Sequence, residues 1–288
     1  MGNVEFSKKA LEKLILLQAD IVGVMSKVSK FNSDFSDFSC LCEENHIPFV
    51  WVDDINSKKS ADWIKGLKPD IIFCFGFSYI LSKEILGITP LGCVGYHPAK
   101  LPMNRGRHPI TWALVLGLKN TASTFFFMDE TADSGDILHQ EDVPISYEDN
   151  ARSLYDKIIS LALRQIDDFL PKLENKTFNR VPQDYEKATY WRKRLDKDSK
   201  IDFAADSRDI YNLVRGLSKP YIGAYLIYEN RRIKIWSAEE VSYNSNNCRV
   251  GQVLEVNNNR VAVKCKNAAV ALTEHEFKKM PKTGERLL

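Results

Sequence analysis

A chain of 288 residues, 44% hydrophobic and 27% charged, is long enough for one large domain and a smaller one, and its composition is that of a globular protein. Its 40 basic and 38 acidic residues leave a net charge of +2, too balanced for charge alone to indicate a nucleic-acid partner. No stretch approaches the ~20 apolar residues that cross a bilayer. The six cysteines, at 40, 42, 74, 93, 248 and 265, form no C-x-x-C pair and no disulfide-like framework, so a soluble, cytoplasmic chain with reduced thiols is expected.

The opening MGNVEFS has no apolar signal region, and Phe6 stands where a myristoylation pattern requires Ser or Thr. KKALEKLILL repeats apolar residues at helical period, and ADIVGVM follows as a short strand. After a polar stretch come the strand IPFVWV, a helix near KSADWIKGL, the strands DIIFCFGF and LGCVGYH, the helix ITWALVLG and the strand TASTFFFM. Such interleaving predicts an α/β fold with a doubly wound, mostly parallel sheet. Folds of this kind open on a strand, yet this chain enters its first helix at about Phe6. Either that strand has been lost or the start is placed late, and its absence would leave sheet edges open.

A long amphipathic helix is predicted from Asn150 to Leu173, with Leu154, Ile158, Leu161, Ile166 and Leu170 on one face. The polar stretch broken by Pro182 reads as a linker. Beyond it, the helix DSRDIYNLVRGL and the strands AYLIYE, RIKIWSA, CRVGQVLEV, RVAVKC and AAVALTE predict a small OB-like β-barrel. The expected domains are a catalytic one over 1–180, a linker over 181–203 and the small barrel over 204–288.

The stretch from Gly92 to Leu138 carries the chemistry. His97 follows a strand at its carboxyl end, where open α/β sheets bind ligands. Pro98, Pro102 and Pro109 stiffen a loop bearing Arg105 and Arg107, and the strand STFFFM delivers DETADSGD towards the same rim. An imidazole and a carboxylate meeting there would support acid–base chemistry. Taken alone, a histidine after a strand is more often a packing or surface residue, and Asp133 and Asp136 also suit a turn. A G-x-G-x-x-G fingerprint is absent, which argues against a nicotinamide-dependent oxidoreductase.

HPAKLPMNRG and ADSGDIL resemble the signature of the folate-dependent formyltransferases, the family of methionyl-tRNA formyltransferase and the sugar N-formyltransferases. KIDFAADSRDIYNLVRGLSKPYIGAYLIYENRRIKIWSAE is similar to that family's small C-terminal domain. The resemblance implies His97 and Asp133 as catalytic residues, N10-formyltetrahydrofolate as co-substrate, no metal, and a folate site near FGFSYIL that includes Phe77, Tyr79 and Leu81. Arg105 would contact folate or a substrate phosphate, while Phe73 and Phe75 read as core. The family's asparagine, an oxyanion donor, falls at Gly95, and losing one such donor costs about 10²–10³ in rate. Protonated His97, a backbone N–H, a water or Asn104 would replace it; a catalytically impaired binding protein is the alternative.

In the relatives that act on tRNA, a basic insertion follows the second strand. Here KVSKFNSDFSDFS carries two lysines, two aspartates, three phenylalanines and no arginine, whereas RNA phosphates favour clustered basic residues. The expected acceptor is therefore the amine of a nucleotide-linked amino sugar, with charged initiator tRNA second. No membrane partner is expected, and a homodimer is left open.

Overall fold

The computed structural model describes residues 1–28, 35–77, 79–243 and 247–287. Residues 29–34 of the non-basic stretch, and Ser78 of the expected folate loop, lie outside the described residues.

The chain forms two compact units. The first comprises Met1–Pro109, Thr121–Val143 and Lys157–Trp191; the second comprises Ile110–Asn120, Pro144–Asp156 and Arg192–Leu288. The stretch expected as a linker over 181–203 is thus divided between them, and residues 110–120 and 144–156 do not fall with the expected first domain. Hydrogen bonding explains the second of these. Arg215 Nη1 donates to the carbonyls of Ser146, Tyr147 and Asp149 at 3.0, 3.1 and 2.9 Å, and the Tyr211 hydroxyl donates to the Tyr147 carbonyl at 2.8 Å.

In chain order the elements are α1 (Glu5–Leu16), β1 (Val24–Ser26), α2 (Ser39–Glu44), β2 (Phe49–Trp51), α3 (Lys58–Leu67), β3 (Ile72–Cys74), α4 (Lys83–Leu86), β4 (Cys93–His97), β5 (Arg105–Gly106), α5 (Pro109–Val115), β6 (Asn120–Phe127), β7 (Ile137–Pro144), α6 (Ala151–Glu174), β8 (Tyr190–Trp191), α7 (Ser207–Gly216), β9 (Ala224–Tyr228), β10 (Arg231–Val241), β11 (Val253–Asn257), β12 (Arg260–Lys264) and β13 (Ala269–His275). Local chemistry sets several of these ends. The Ser57 and Ser82 hydroxyls cap α3 and α4 by accepting the N–H groups of Ser60 and Ile85. The predicted face of α6 is buried, with Leu154, Ile158, Leu161, Ile166 and Leu170 all among the core residues.

β1 and β2 pair in parallel, and a separate sheet runs in the order β3-β4-β6-β7. Within it β3 and β4 are parallel while β4 and β6 are antiparallel, so the architecture is a mixed α/β one. Where a first strand was expected, Met1 and Gly2 lie between β1 and β3. The Phe75 N–H donates to the Met1 carbonyl at 2.9 Å, and the Gly2 N–H donates to the Met25 carbonyl at 3.3 Å.

The second unit carries an antiparallel sheet ordered β11-β12-β13-β10-β9, packed on α7 through residues such as Ile210, Val214, Leu226, Ile235, Val263 and Leu272. The expected barrel is an open five-stranded sheet: among the described residues no pairing of β9 with β11 closes it.

Candidate functional site

His97 ends β4, and its backbone faces Thr124 of β6. The following loop is pinned to the sheet by side chains. Thr124 Oγ1 donates to the Ala99 carbonyl at 2.7 Å, and Gln140 Nε2 donates to the Leu101 carbonyl at 3.0 Å. That anchoring brings the Asn104 backbone back over the strand end, 2.8 Å from His97 Nε2. A carbonyl oxygen can only accept, so Nε2 carries the hydrogen and Nδ1 is left as the basic nitrogen. Nδ1 lies 3.6 Å from Asp133 Oδ2, and the His97 residue is only 4% exposed. The two expected catalytic residues therefore meet, and Nδ1 is the imidazole nitrogen that faces the carboxylate.

Asp133 occupies the turn between β6 and β7 with φ of +57°, a left-handed conformation that costs a non-glycine residue about 1 kcal/mol or more and has to be held by its surroundings. Its Oδ2 accepts the Gly106 N–H at 2.8 Å, and its carbonyl accepts Gln183 Nε2 at 2.9 Å. The same Nε2 donates to the Gly135 carbonyl at 2.6 Å. Two glycines are required by close approach. A Cβ on Gly135 would sit 1.9 Å from the Phe127 carbonyl oxygen, and one on Gly106 would sit 2.3 Å from that of Trp191.

Arg105 differs from expectation. It is completely buried, so it is not available on a solvent-facing loop for folate or phosphate. Nε and Nη2 both donate to Gln183 Oε1, at 3.1 and 2.7 Å, and Nη1 donates to the Tyr190 hydroxyl at 2.9 Å. The Tyr185 ring lies over the guanidinium, 4.9 Å from its centre. Gln183, Tyr185, Thr189 and Tyr190 lie in the polar stretch whose composition reads as a linker. β8 pairs in parallel with β5 and draws that stretch onto the site. No periodicity signals a two-residue strand.

The Asn104 backbone N–H donates to Thr189 Oγ1 at 2.8 Å, and its Oδ1 accepts from that hydroxyl at 3.4 Å. Gly95 on β4 faces Phe126, and a Cβ there would lie 2.9 Å from Met128 Cγ and 3.0 Å from Phe126 Cζ. The space an asparagine would need is thus filled by neighbouring side chains.

Phe77 and Leu81, 7% and 2% exposed, are core side chains packed with Met25, Ile64 and Ile85. Any ligand contact from them would have to come from the backbone. Tyr79 is 39% exposed and stands beside Phe77, with Lys27 Nζ 4.7 Å from its ring centre. Phe73 and Phe75 stack on each other at 5.3 Å within the first unit, as expected of core residues. Among the described residues no helix is long and apolar enough to cross a membrane.

Residues 13–166 match the formyl transferase family, and residues 195–287 match the formyl transferase C-terminal domain. A methionyl-tRNA formyltransferase from Acetivibrio thermocellus is 30% identical over 283 residues, covering 96% of this chain and 90% of that protein. The sugar 3N-formyltransferase WlaRD superposes with a TM-score of 0.72 at 18% identity over 97% of both chains. An N-formyltransferase from Helicobacter canadensis, crystallised with folinic acid and dTDP-3-aminofucose, gives 0.72 at 18% identity over 96% of this chain and 97% of its own. With both halves matched and the His97–Asp133 pair in place, this chain belongs to the formyl transferase family.

Proposed function

We propose that this enzyme moves a formyl group from N10-formyltetrahydrofolate to the primary amine of a nucleotide-linked amino sugar. The supporting observation is the buried His97–Asp133 pair, with Nδ1 3.6 Å from the carboxylate and Nε2 held by the Asn104 carbonyl. In this reading a neutral amine attacks the formyl carbon and forms the new C–N bond. His97 Nδ1 takes the amine proton, and the adjacent Asp133 carboxylate stabilises the imidazolium. The proton then passes to N10 of the folate as the C–N10 bond breaks. The oxyanion is stabilised by the imidazolium and by the Asn104 amide, whose Oδ1 already receives the Thr189 hydroxyl. Arg105 acts as a positioning residue through Gln183. The exposed Tyr79 ring and the backbone of residues 75–77 and 79–81 suit the flat, polar-edged folate ring.

The sugar acceptor is favoured by the stretch 27–39, whose two lysines and two aspartates cancel. There Lys27, one of its two lysines, is already engaged with the Asp53 carbonyl and the Tyr79 ring. The Helicobacter canadensis neighbour, bound to an amino-sugar nucleotide, points the same way. Charged initiator tRNA is the second reading, favoured by the full-length similarity to a methionyl-tRNA formyltransferase. Incubation with N10-formyltetrahydrofolate and each acceptor in turn, followed by mass spectrometry of the products, separates the two. Formylation of neither acceptor would favour a binding protein.

A further inference from the structure

A cavity of about 340 Å³ opens in the second unit between residues 148–152, α7 and β10. Small-molecule sites run from about 300 to 1,000 Å³, so it has room for a small ligand. Its lining includes the cations Arg152, Arg215 and Lys219, and their situations differ. Arg152 is paired with Asp156 at 2.7 Å and Lys219 with Glu274 at 3.0 Å, and both side chains are exposed. Arg215 is only 8% exposed, and no carboxylate among the described residues lies within ion-pair distance of it.

The Arg215 guanidinium is held on one side by neutral acceptors. Nε donates to Asn212 Oδ1 at 2.9 Å, and Nη1 donates to the carbonyls of Ser146, Tyr147 and Asp149. Nη2 makes no hydrogen bond among the described residues, yet it is not sealed from water. Because Arg215 lines the cavity, that open nitrogen faces it. A buried charge without a counter-charge is costly, and buried arginines are almost never left unpaired. Burial lowers the Arg215 pKa from the ordinary guanidinium value, which expresses the same cost. Asn150 supplies a second donor at the rim. Its Oδ1 accepts the N–H groups of Arg152 and Ser153, both at 3.0 Å, and so caps α6. Its Nδ2 makes no hydrogen bond among the described residues. The cap also stands at the positive end of the 24-residue α6, where a negative charge is stabilised. Of the acidic lining residues, Glu274 is held by Lys219, and Glu148 is exposed at the rim, where solvent screens it.

We propose that this cavity binds a small oxyanion, a carboxylate or a phosphate group, whose oxygens accept from Arg215 Nη2 and Asn150 Nδ2. The bound anion supplies the counter-ion that the buried guanidinium lacks, through a charge-assisted bond stronger than a neutral one. This site does not depend on which acceptor the enzyme formylates.

The test titrates the full chain with sodium phosphate, and separately with sodium succinate, against sodium chloride at matched ionic strength and pH. Melting temperature and isothermal calorimetry are both read. Two variants accompany the wild-type protein. Asn150→Asp keeps the oxygen that caps α6 but replaces the donor with a charge of the wrong sign. Ser237→Glu puts the same repulsion on the β10 wall of the cavity without touching the cap. The wild-type protein is expected to show a saturable rise of about 2 °C or more with at least one of the two anions. Both variants should bind that anion about tenfold more weakly or worse, the loss of one hydrogen bond to a charged group. A response to phosphate alone assigns the site to phosphate esters, and a response to succinate alone assigns it to carboxylates. No saturable response to either anion, or equal affinity in the wild-type protein and a folded variant, would overturn the proposal.

Discussion

Gln183 grips Asp133 from behind: its Nε2 donates to the Asp133 carbonyl at 2.9 Å, while its Oε1 accepts two N–H groups of the buried Arg105. One side chain thereby couples the left-handed turn that presents the carboxylate to the loop that returns over His97. Gln183→Leu removes both donations and leaves a buried guanidinium short of its acceptor. The expected result is a loss of at least about 1–3 kcal/mol in urea unfolding, because unsatisfied buried polar groups carry that cost. The rate should fall through kcat, with KM for the acceptor changed much less. A Gln183→Leu enzyme with unaltered stability and turnover would show that the network does not position Asp133.

The pair itself is tested by two substitutions that fail differently. His97→Ala removes the basic nitrogen and should lower kcat by about 10²–10⁴, the usual contribution of a positioned acid–base group. Asp133→Asn keeps an oxygen for the Gly106 N–H but removes the charge that favours the imidazolium. It should lower kcat while leaving the melting temperature close to that of the parent. A large fall in melting temperature for Asp133→Asn would assign the residue to the turn rather than to the reaction.

Restoring an asparagine at position 95 should not restore anything. Gly95→Asn drives a Cβ to 2.9 Å from Met128 Cγ and 3.0 Å from the Phe126 ring. Overpacking of this kind costs about 1–3 kcal/mol, so the variant should melt earlier and turn over more slowly. Higher activity in Gly95→Asn would mean that the strand has room the structure does not show.

The cysteines give a pH-dependent readout of the first unit's core. Burial pushes the Cys42 and Cys74 thiols up to about 11 and Cys93 up to about 12. Unfolding returns them to the ordinary thiol value of about 8.5. Folding therefore favours their neutral forms. The stability they contribute is fully present below about pH 8.5 and is lost as pH rises through their folded values. The urea midpoint should fall between pH 8 and pH 10, and substituting Cys93 by Ala should shrink that fall. At pH 8 a thiol reagent should modify the exposed Cys40 well before the buried Cys42, Cys74, Cys93 and Cys265.

Much of the frame was legible in the sequence because it rests on local periodicity. The apolar face of α6 and the strands around β4 and β6 bury the predicted residues. His97 and Asp133 could be named from the motifs that carry the resemblance, though only the folded chain shows which imidazole nitrogen faces the carboxylate. What stayed hidden depends on long-range pairing. β8 is two residues long and acquires its place from β5. Arg105 looks like a solvent-facing loop residue until Gln183, Tyr185 and Tyr190 close around it. The polar composition of 181–203 signalled a connector, yet its first half forms a wall of the site. Residues 144–156 fall with the second unit because Arg215 binds three of their carbonyls, which no sequence spacing announces.

In the proposed reaction, His97 Nδ1 accepts the amine proton during formyl transfer to an amino sugar. The most direct measurement is a turnover assay of the wild-type and His97→Ala enzymes with N10-formyltetrahydrofolate and a panel of nucleotide-linked amino sugars, alongside charged initiator tRNA. Products gaining the mass of one formyl group are read by mass spectrometry. Formylated sugar nucleotide from the wild-type enzyme, and almost none from a folded His97→Ala variant, is the predicted result. Undiminished formylation by His97→Ala, or product from the tRNA alone, would contradict it.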